Sequence, residues 1–163
     1  MRIKESKLKG VYEIRLDKFT DHRGNYTEIF NHEFLKNFKI KFIQDDISTS
    51  RYSVLRGIHG DNSTWKLITC LHGAFYLIVV DNRKKSKNFK KWISFTLTSE
   101  NNKQILVPPG FGNGHQILTD EAIFHYKQNT LYDRSSQFTI KYNDPDFGFN
   151  WPIANPILSD RDK

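Results

Sequence analysis

Sulfur is scarce in this chain: one cysteine, Cys70, and one methionine among 163 residues. A lone cysteine excludes an internal disulfide, so a reducing, cytoplasmic setting is expected. Long apolar runs are missing as well. No stretch reaches the roughly 18 apolar residues of a membrane-crossing helix, and residues 1–10 (MRIKESKLKG) lack the apolar centre of a signal peptide. Clustered metal ligands are also lacking. His59 has no second histidine at ligand spacing, His115 stands near Asn113, and His22, His32, His72 and His125 lie in unrelated contexts. Neither a metal nor another cofactor is expected.

What the chain has in quantity is aromatic residues: 13 Phe, 7 Tyr and 3 Trp. Flat rings pack well on a pleated, half-buried surface, so the composition favours strands. Turn signals recur at short spacing with strand-like runs between them. The predicted strands are Leu67–Cys70, Ala74–Val80, Trp92–Leu97, Gln104–Val107, Ala122–Gln128 and Phe138–Tyr142, with an alternating segment after the Asp21–Gly24 turn. Phe75–Val80 is nearly continuous in apolar residues, as a strand buried on both faces would be. A helix is expected only at Asn31–Asn37. The length suits one domain, residues 1–163, burying about two thirds of its unfolded surface. The expectation is a single all-β sandwich or barrel with short peripheral helices.

The formal charge of +7 is scattered. Its densest run, Arg83–Lys91, lies between two predicted strands and reads as a solvated hairpin tip. No aromatic platform or groove-reading helix accompanies it, so nucleic acid is not an expected partner. An anionic small molecule such as a nucleotide sugar needs only two or three of these charges.

The chemistry-bearing residues start at Leu55-Arg56-Gly57-Ile58-His59. On a strict strand Arg56 and His59 point to opposite faces, unless Gly57 introduces a bend or bulge. Alone, His59 is as well explained as a satisfied structural histidine. Lys66 follows at the start of the next strand. Phe124, Tyr126 and Gln128 share a face by alternation. Tyr126 reads either as a core aromatic or as a functional phenol, and Tyr132 as a turn or lid aromatic.

Taken together these pieces resemble the dTDP-4-dehydrorhamnose 3,5-epimerase family of the cupin superfamily, over about residues 19–162. The matching residues begin with Phe19-x-Asp21-x-Arg23-Gly24-x-Tyr26-x-Glu28 and Phe42-Ile43-Gln44-Asp45-Asp46-x-Ser48-x-Ser50. Leu55–His59, Trp65-Lys66-Leu67 and Val79–Arg83 follow. Pro108-x-Gly110-Phe111, Tyr126 with Tyr132, Asp144-Pro145, Trp151-Pro152 and Ser159-Asp160-x-Asp162 complete the pattern.

The resemblance implies a cupin-type double-stranded β-helix, or jelly-roll barrel, that is metal-free and usually homodimeric. Its substrate would be a nucleotide-diphosphate 4-keto-6-deoxy sugar or a 4-keto heptose, inverted at C3 and/or C5 through an enolate. It makes His59 the general base, oriented by Asp162, with Lys66 on the enolate oxygen and Tyr126 returning the proton from the opposite face. Arg56 would hold the diphosphate. Arg23, Glu28 and Gln44 would contact the nucleotide, some from a neighbouring subunit, and Tyr132 would border the site.

Several positions depart from the family pattern. Asn113 and His115 stand where a histidine and a phenylalanine are usual, Gly60-Asp61 replaces an aromatic and a glutamine, and Asp46 replaces an asparagine. These changes are expected to alter the pocket walls while sparing proton transfer. The nucleotide or the sugar is therefore expected to differ from the dTDP-rhamnose precursor, with a GDP- or CDP-linked sugar, or a heptose bound for capsule or lipopolysaccharide, in its place. A nucleotide-sugar ketoisomerase and a non-catalytic sugar-nucleotide-binding cupin are the alternatives. Product analysis separates the first from an epimerase, and the second binds without solvent exchange.

Overall fold

The computed structural model describes residues 1–163 and contains strands and two 3-10 turns, with no α-helix. The strands, in chain order, are β1 (Arg2–Glu5), β2 (Tyr12–Arg15), β3 (Phe19–Asp21), β4 (Gly24–Tyr26) and β5 (Gln44–Arg51). Then come β6 (Leu55–Gly60), β7 (Lys66–His72), β8 (Ala74–Asp81), β9 (Trp92–Thr98) and β10 (Lys103–Val107). β11 (Phe111–Ile117), β12 (Glu121–Gln128) and β13 (Phe138–Thr139) close the series. They form a six-stranded sheet, β1-β2-β10-β7-β12-β5, and a five-stranded sheet, β13-β6-β11-β8-β9, with β3-β4 as a separate hairpin. Every pairing is antiparallel. This is the jelly-roll barrel expected from the sequence.

Alternation explains how the sheets meet. On β8, Phe75, Leu77 and Val79 enter the main core with Ile68, Ile105, Val107, Ile117 and Phe124, which belong to both sheets. Ile78 and Val80 face the other way, into a cluster with Ile58 and Ile140 that Phe147, Phe149 and Trp151 cover. The expectation of a strand buried on both faces therefore holds. A third cluster, Ile14, Leu16, Leu35, Phe42, Leu67 and Leu106, seals the outer face of the larger sheet beneath segment 29–42.

Two sequence expectations need correction. Asn31–Asn37 is not a helix: its residues make turns, and only Lys36–Phe38 forms a 3-10 turn. The Asn31 carboxamide oxygen accepts the backbone N–H groups of Glu33 and Phe34 at 2.9 and 3.2 Å, an alternative to helical pairing that Asn side chains favour. The segment is also too short to repay helix nucleation by itself. The strand expected at Phe138–Tyr142 stops at Thr139. Ile140 still exchanges two backbone hydrogen bonds with Ile58, after which residues 142–143 turn. The basic run Arg83–Lys91 does connect β8 to β9, with Arg83 bound to Asp81 and Lys90 to Asp146. No helix is long and apolar enough to cross a membrane.

Candidate active site

Gly57 settles where Arg56 and His59 go. It adopts φ of 110°, and β11 shifts register opposite it between Asn113 and His115. A Cβ at Gly57 would lie 2.7 Å from both Asn113 O and Gly114 Cα, so no larger residue fits this close approach. The irregularity turns Arg56 and His59 toward one cavity, as a bend was expected to do. That cavity, about 640 Å³, lies between the two sheets and is closed on one side by residues 159–162. Its volume suits a small organic ligand.

His59 (β6) and Tyr126 (β12) border the cavity from opposite sheets. The His59 Nε2 lies 2.7 Å from Asp162 Oδ1. With that N–H directed to the carboxylate, Nδ1 keeps the lone pair that a base needs. Asp162 is 3% exposed, and its second oxygen accepts from Ser159 Oγ at 2.9 Å. Burial alone would raise the Asp162 pKa, but the bonds from His59 and Ser159 outweigh it and hold the carboxyl below its ordinary value.

Lys66 crosses the gap between the sheets, its ammonium donating to Asn113 Oδ1 at 3.1 Å. Burial pushes its pKa down to about 8, against the pull of the Asp61 carboxylate and with a small push from Arg161. The Tyr126 phenol moves the opposite way. Burial first, and then the neighbouring Asp46 carboxylate, raise its pKa above the ordinary value, so it holds its proton at neutral pH. Asp46 Oδ2 in turn accepts the amide N–H groups of Gln44 and Gln128, at 2.8 and 3.1 Å. A base paired to a carboxylate, a neutral phenol and a buried ammonium thus share one cavity. The set can remove a proton beside a carbonyl, stabilise the oxyanion and reprotonate the carbon.

Of the remaining expected residues, Arg56, Gln44, Asn113, His115 and Tyr132 border the cavity. Arg56 Nε donates to Ser50 Oγ at 3.0 Å. Gln44 Oε1 receives the Tyr132 backbone N–H at 2.8 Å, which ties that loop to β5. Arg23 and Glu28 lie outside it: Arg23 pairs with Asp21, and Glu28 accepts from Asn31. Among the departures from the family pattern, Gly60-Asp61 does not border the cavity as expected. Gly60 packs against Phe138 and Phe111, and Asp61 caps a turn by accepting the N–H groups of Ser63 and Thr64. Asp46, Asn113 and His115 do form walls.

The sequence reading missed Arg134, Gln137 and Arg161. Arg161 sits inside the Ser159–Asp162 run already singled out, and its guanidinium donates to Gln137 Oε1 at 3.0 Å. Arg134 lies in a short loop turn with no local signal. Together with Arg56 they supply three guanidinium groups, the donor type that suits phosphate oxygens.

Such a barrel, with an acid and a base from facing sheets and cations around them, defines a proton-transferring enzyme for anionic small molecules. Residues 5–163 match the family described as dTDP-4-dehydrorhamnose 3,5-epimerase. The enzyme of that name from Shigella flexneri is 35% identical, covering 99% of this chain and 93% of its own. The crystal structure of a dTDP-6-deoxy-D-glucose-3,5-epimerase from Legionella pneumophila, in complex with dTDP-4-keto-L-rhamnose, superposes with a TM-score of 0.94. It is 31% identical over 99% of this chain and 89% of the other. A 3'-monoepimerase from Streptomyces bikiniensis, in complex with dTDP-quinovose, gives a TM-score of 0.91 at 30% identity, covering 97% and 83%. The chain belongs to the dTDP-4-dehydrorhamnose 3,5-epimerase family, a family of isomerases.

Proposed function

We propose that this protein is an epimerase that inverts C3, C5 or both in a nucleotide-diphosphate 4-keto-6-deoxy sugar or 4-keto heptose. The observation that carries the reading is the His59–Asp162 pair at 2.7 Å, set across a cavity from Tyr126 with Lys66 between the sheets. Protons on carbons beside the C4 ketone are acidic because the carbanion delocalises onto oxygen. His59 Nδ1 takes such a proton, and the imidazolium is held by Asp162. The Lys66 ammonium donates to the enolate oxygen. Tyr126 gives a proton to the opposite face of the same carbon, which inverts it. Arg56, Arg134 and Arg161 receive the diphosphate.

The test is exchange in deuterated water with dTDP-, GDP- and CDP-linked 4-keto-6-deoxy sugars. Deuterium is expected at C3, C5 or both, and the position identifies the inverted centre. A panel in which every sugar binds without exchange replaces the enzyme by a binding protein.

The same proposal includes a homodimer and a cytoplasmic setting, where Cys70 stays a thiol. Phe19 and Tyr26 on the β3-β4 hairpin are 64% and 67% exposed, and Ile47 on the edge strand β5 is 65% exposed. A second copy seated there would cover them and bring Arg23 and Glu28 of one hairpin toward the other copy's cavity. Coexpressed Arg23→Ala and His59→Ala chains are expected to recover activity that neither shows alone, since one site in the mixed dimer is then intact. Sedimentation as a monomer, or no recovery, removes the shared site.

A further inference from the structure

The Lys66 ammonium carries three N–H groups, and Asn113 Oδ1 accepts one of them at 3.1 Å. That bond also fixes the Asn113 amide. An ammonium only donates, so the branch facing it must be the carbonyl oxygen, and Nδ2 occupies the other branch. The bond to Lys66 is the one side-chain hydrogen bond that Asn113 makes, which leaves both Nδ2 N–H groups without a protein partner. They are not sealed off. The polar side-chain atoms that lack a partner and are closed to solvent are Gln104 Oε1, His115 Nε2 and His125 Nδ1, and Asn113 Nδ2 is not among them. Asn113 is half-buried and borders the substrate cavity, so this unpartnered donor is open to whatever the cavity binds.

Its place in the sheet says which ligand atom it meets. Asn113 pairs directly with His59 across β11 and β6, while Lys66 arrives from the facing sheet. The amide thus stands between the base and the ammonium. His59 takes a proton from a carbon bonded to the ketone carbon, so the ketone oxygen lies two bonds from the site of proton loss. The oxygen that accepts from Lys66 therefore forms beside Asn113, and Nδ2, on the same amide that holds Lys66, is within reach of it. The strand is closely held there: a Cβ at Gly112 or Gly114 would lie 2.6 or 2.9 Å from a side-chain carbon of Ile58. A donor on so tightly packed a segment needs little reorganisation when charge develops.

Building on the function proposed above, we infer that Asn113 is a catalytic residue: its Nδ2 donates a second hydrogen bond to the enolate oxygen and completes an oxyanion hole with Lys66. The neutral amide adds a donor without a charge that would repel the ammonium.

Deuterium exchange tests this in four chains: the parent, Asn113→Leu, Lys66→Met and the double variant. Asn113→Leu is expected to lower kcat by about 10–100-fold, the worth of a hydrogen bond to a charged acceptor. Calorimetric affinity for whichever of dTDP, GDP and CDP the parent binds should stay at the parental level, because the oxyanion exists only during reaction. The decisive comparison is made without Lys66. Where Nδ2 itself meets the oxygen, Asn113→Leu still costs about tenfold or more in the Lys66→Met background. A double variant as active as Lys66→Met would reduce Asn113 to a prop for the ammonium and overturn the assignment. So would a parental kcat in Asn113→Leu, or a loss confined to KM. Asn113→Ala repeats the series with a smaller side chain, and parental kcat there would trace the loss to leucine filling the cavity and overturn it too. A parent that exchanges no 4-keto sugar would instead overturn the epimerase reading on which this role rests.

Discussion

His59→Ala is expected to slow deuterium incorporation into the 4-keto sugar by about 10²–10⁴-fold, the usual worth of a positioned general base. Nucleotide affinity should stay nearly unchanged. The two outcomes separate because the imidazole contacts Asp162, whereas the guanidinium groups of Arg56, Arg134 and Arg161 are available for the diphosphate. The substitution also leaves Asp162 with one fewer donor at a site 3% exposed. Some stability is lost with it, on the order of 1–3 kcal/mol. Ser159 continues to donate to that carboxylate, so the fold should survive, and a melting curve beside the exchange assay separates lost chemistry from lost structure. Exchange at the parental rate in a folded variant would remove His59 as the base.

How much of this was legible in the sequence depends on what set each element. Strands with strong apolar content, such as Ala74–Asp81 and Glu121–Gln128, were found to within a residue at either end, because their burial is written in their composition. Gln44–Arg51 was not predicted as a strand. Apart from Ile47 its residues are polar, and it lies at a sheet edge, where pairing with β12 rather than burial defines it. Phe111–Ile117 was hidden by its glycines, which serve close packing: a Cβ at Gly112 would lie 2.6 Å from an Ile58 methyl. The site followed the same division. His59, Lys66, Tyr126 and Asp162 could be named by resemblance and do converge, but their convergence depends on pairings between residues up to 103 positions apart. Whether Arg56 joined His59 could not be read from alternation, because the register shift at Gly57 resides in contacts with Asn113 and Gly114. Arg23 and Glu28 were equally visible in sequence, yet neither borders the chain's own cavity.

Lys66 carries the other large effect. Lys66→Met is expected to lower kcat by about 10²–10³-fold, because it removes an oriented donor from the enolate oxygen in a water-poor cavity. In the parent, the same group sets a pH limit. Its pKa of about 8 means that the ammonium persists below that pH and is lost above it, so kcat/KM should fall as pH rises through about 8. Bound diphosphate brings negative charge close to the ammonium and favours it, so the limb in kcat should lie at higher pH. Stability runs the other way. Between about 8 and the ordinary lysine value of 10.5, the folded chain binds fewer protons at this site than the unfolded chain does. Folding stability from this group therefore rises with pH across that window, by about 3 kcal/mol at most. The protein thus carries a buried ammonium that costs stability below pH 8, the range in which catalysis needs it charged. Lys66→Met should flatten both profiles: no alkaline limb in the residual activity, and no rise in the unfolding midpoint from pH 8 to 10. An unshifted alkaline limb in the variant would assign the titration to another group, with Lys66 left as a packing residue.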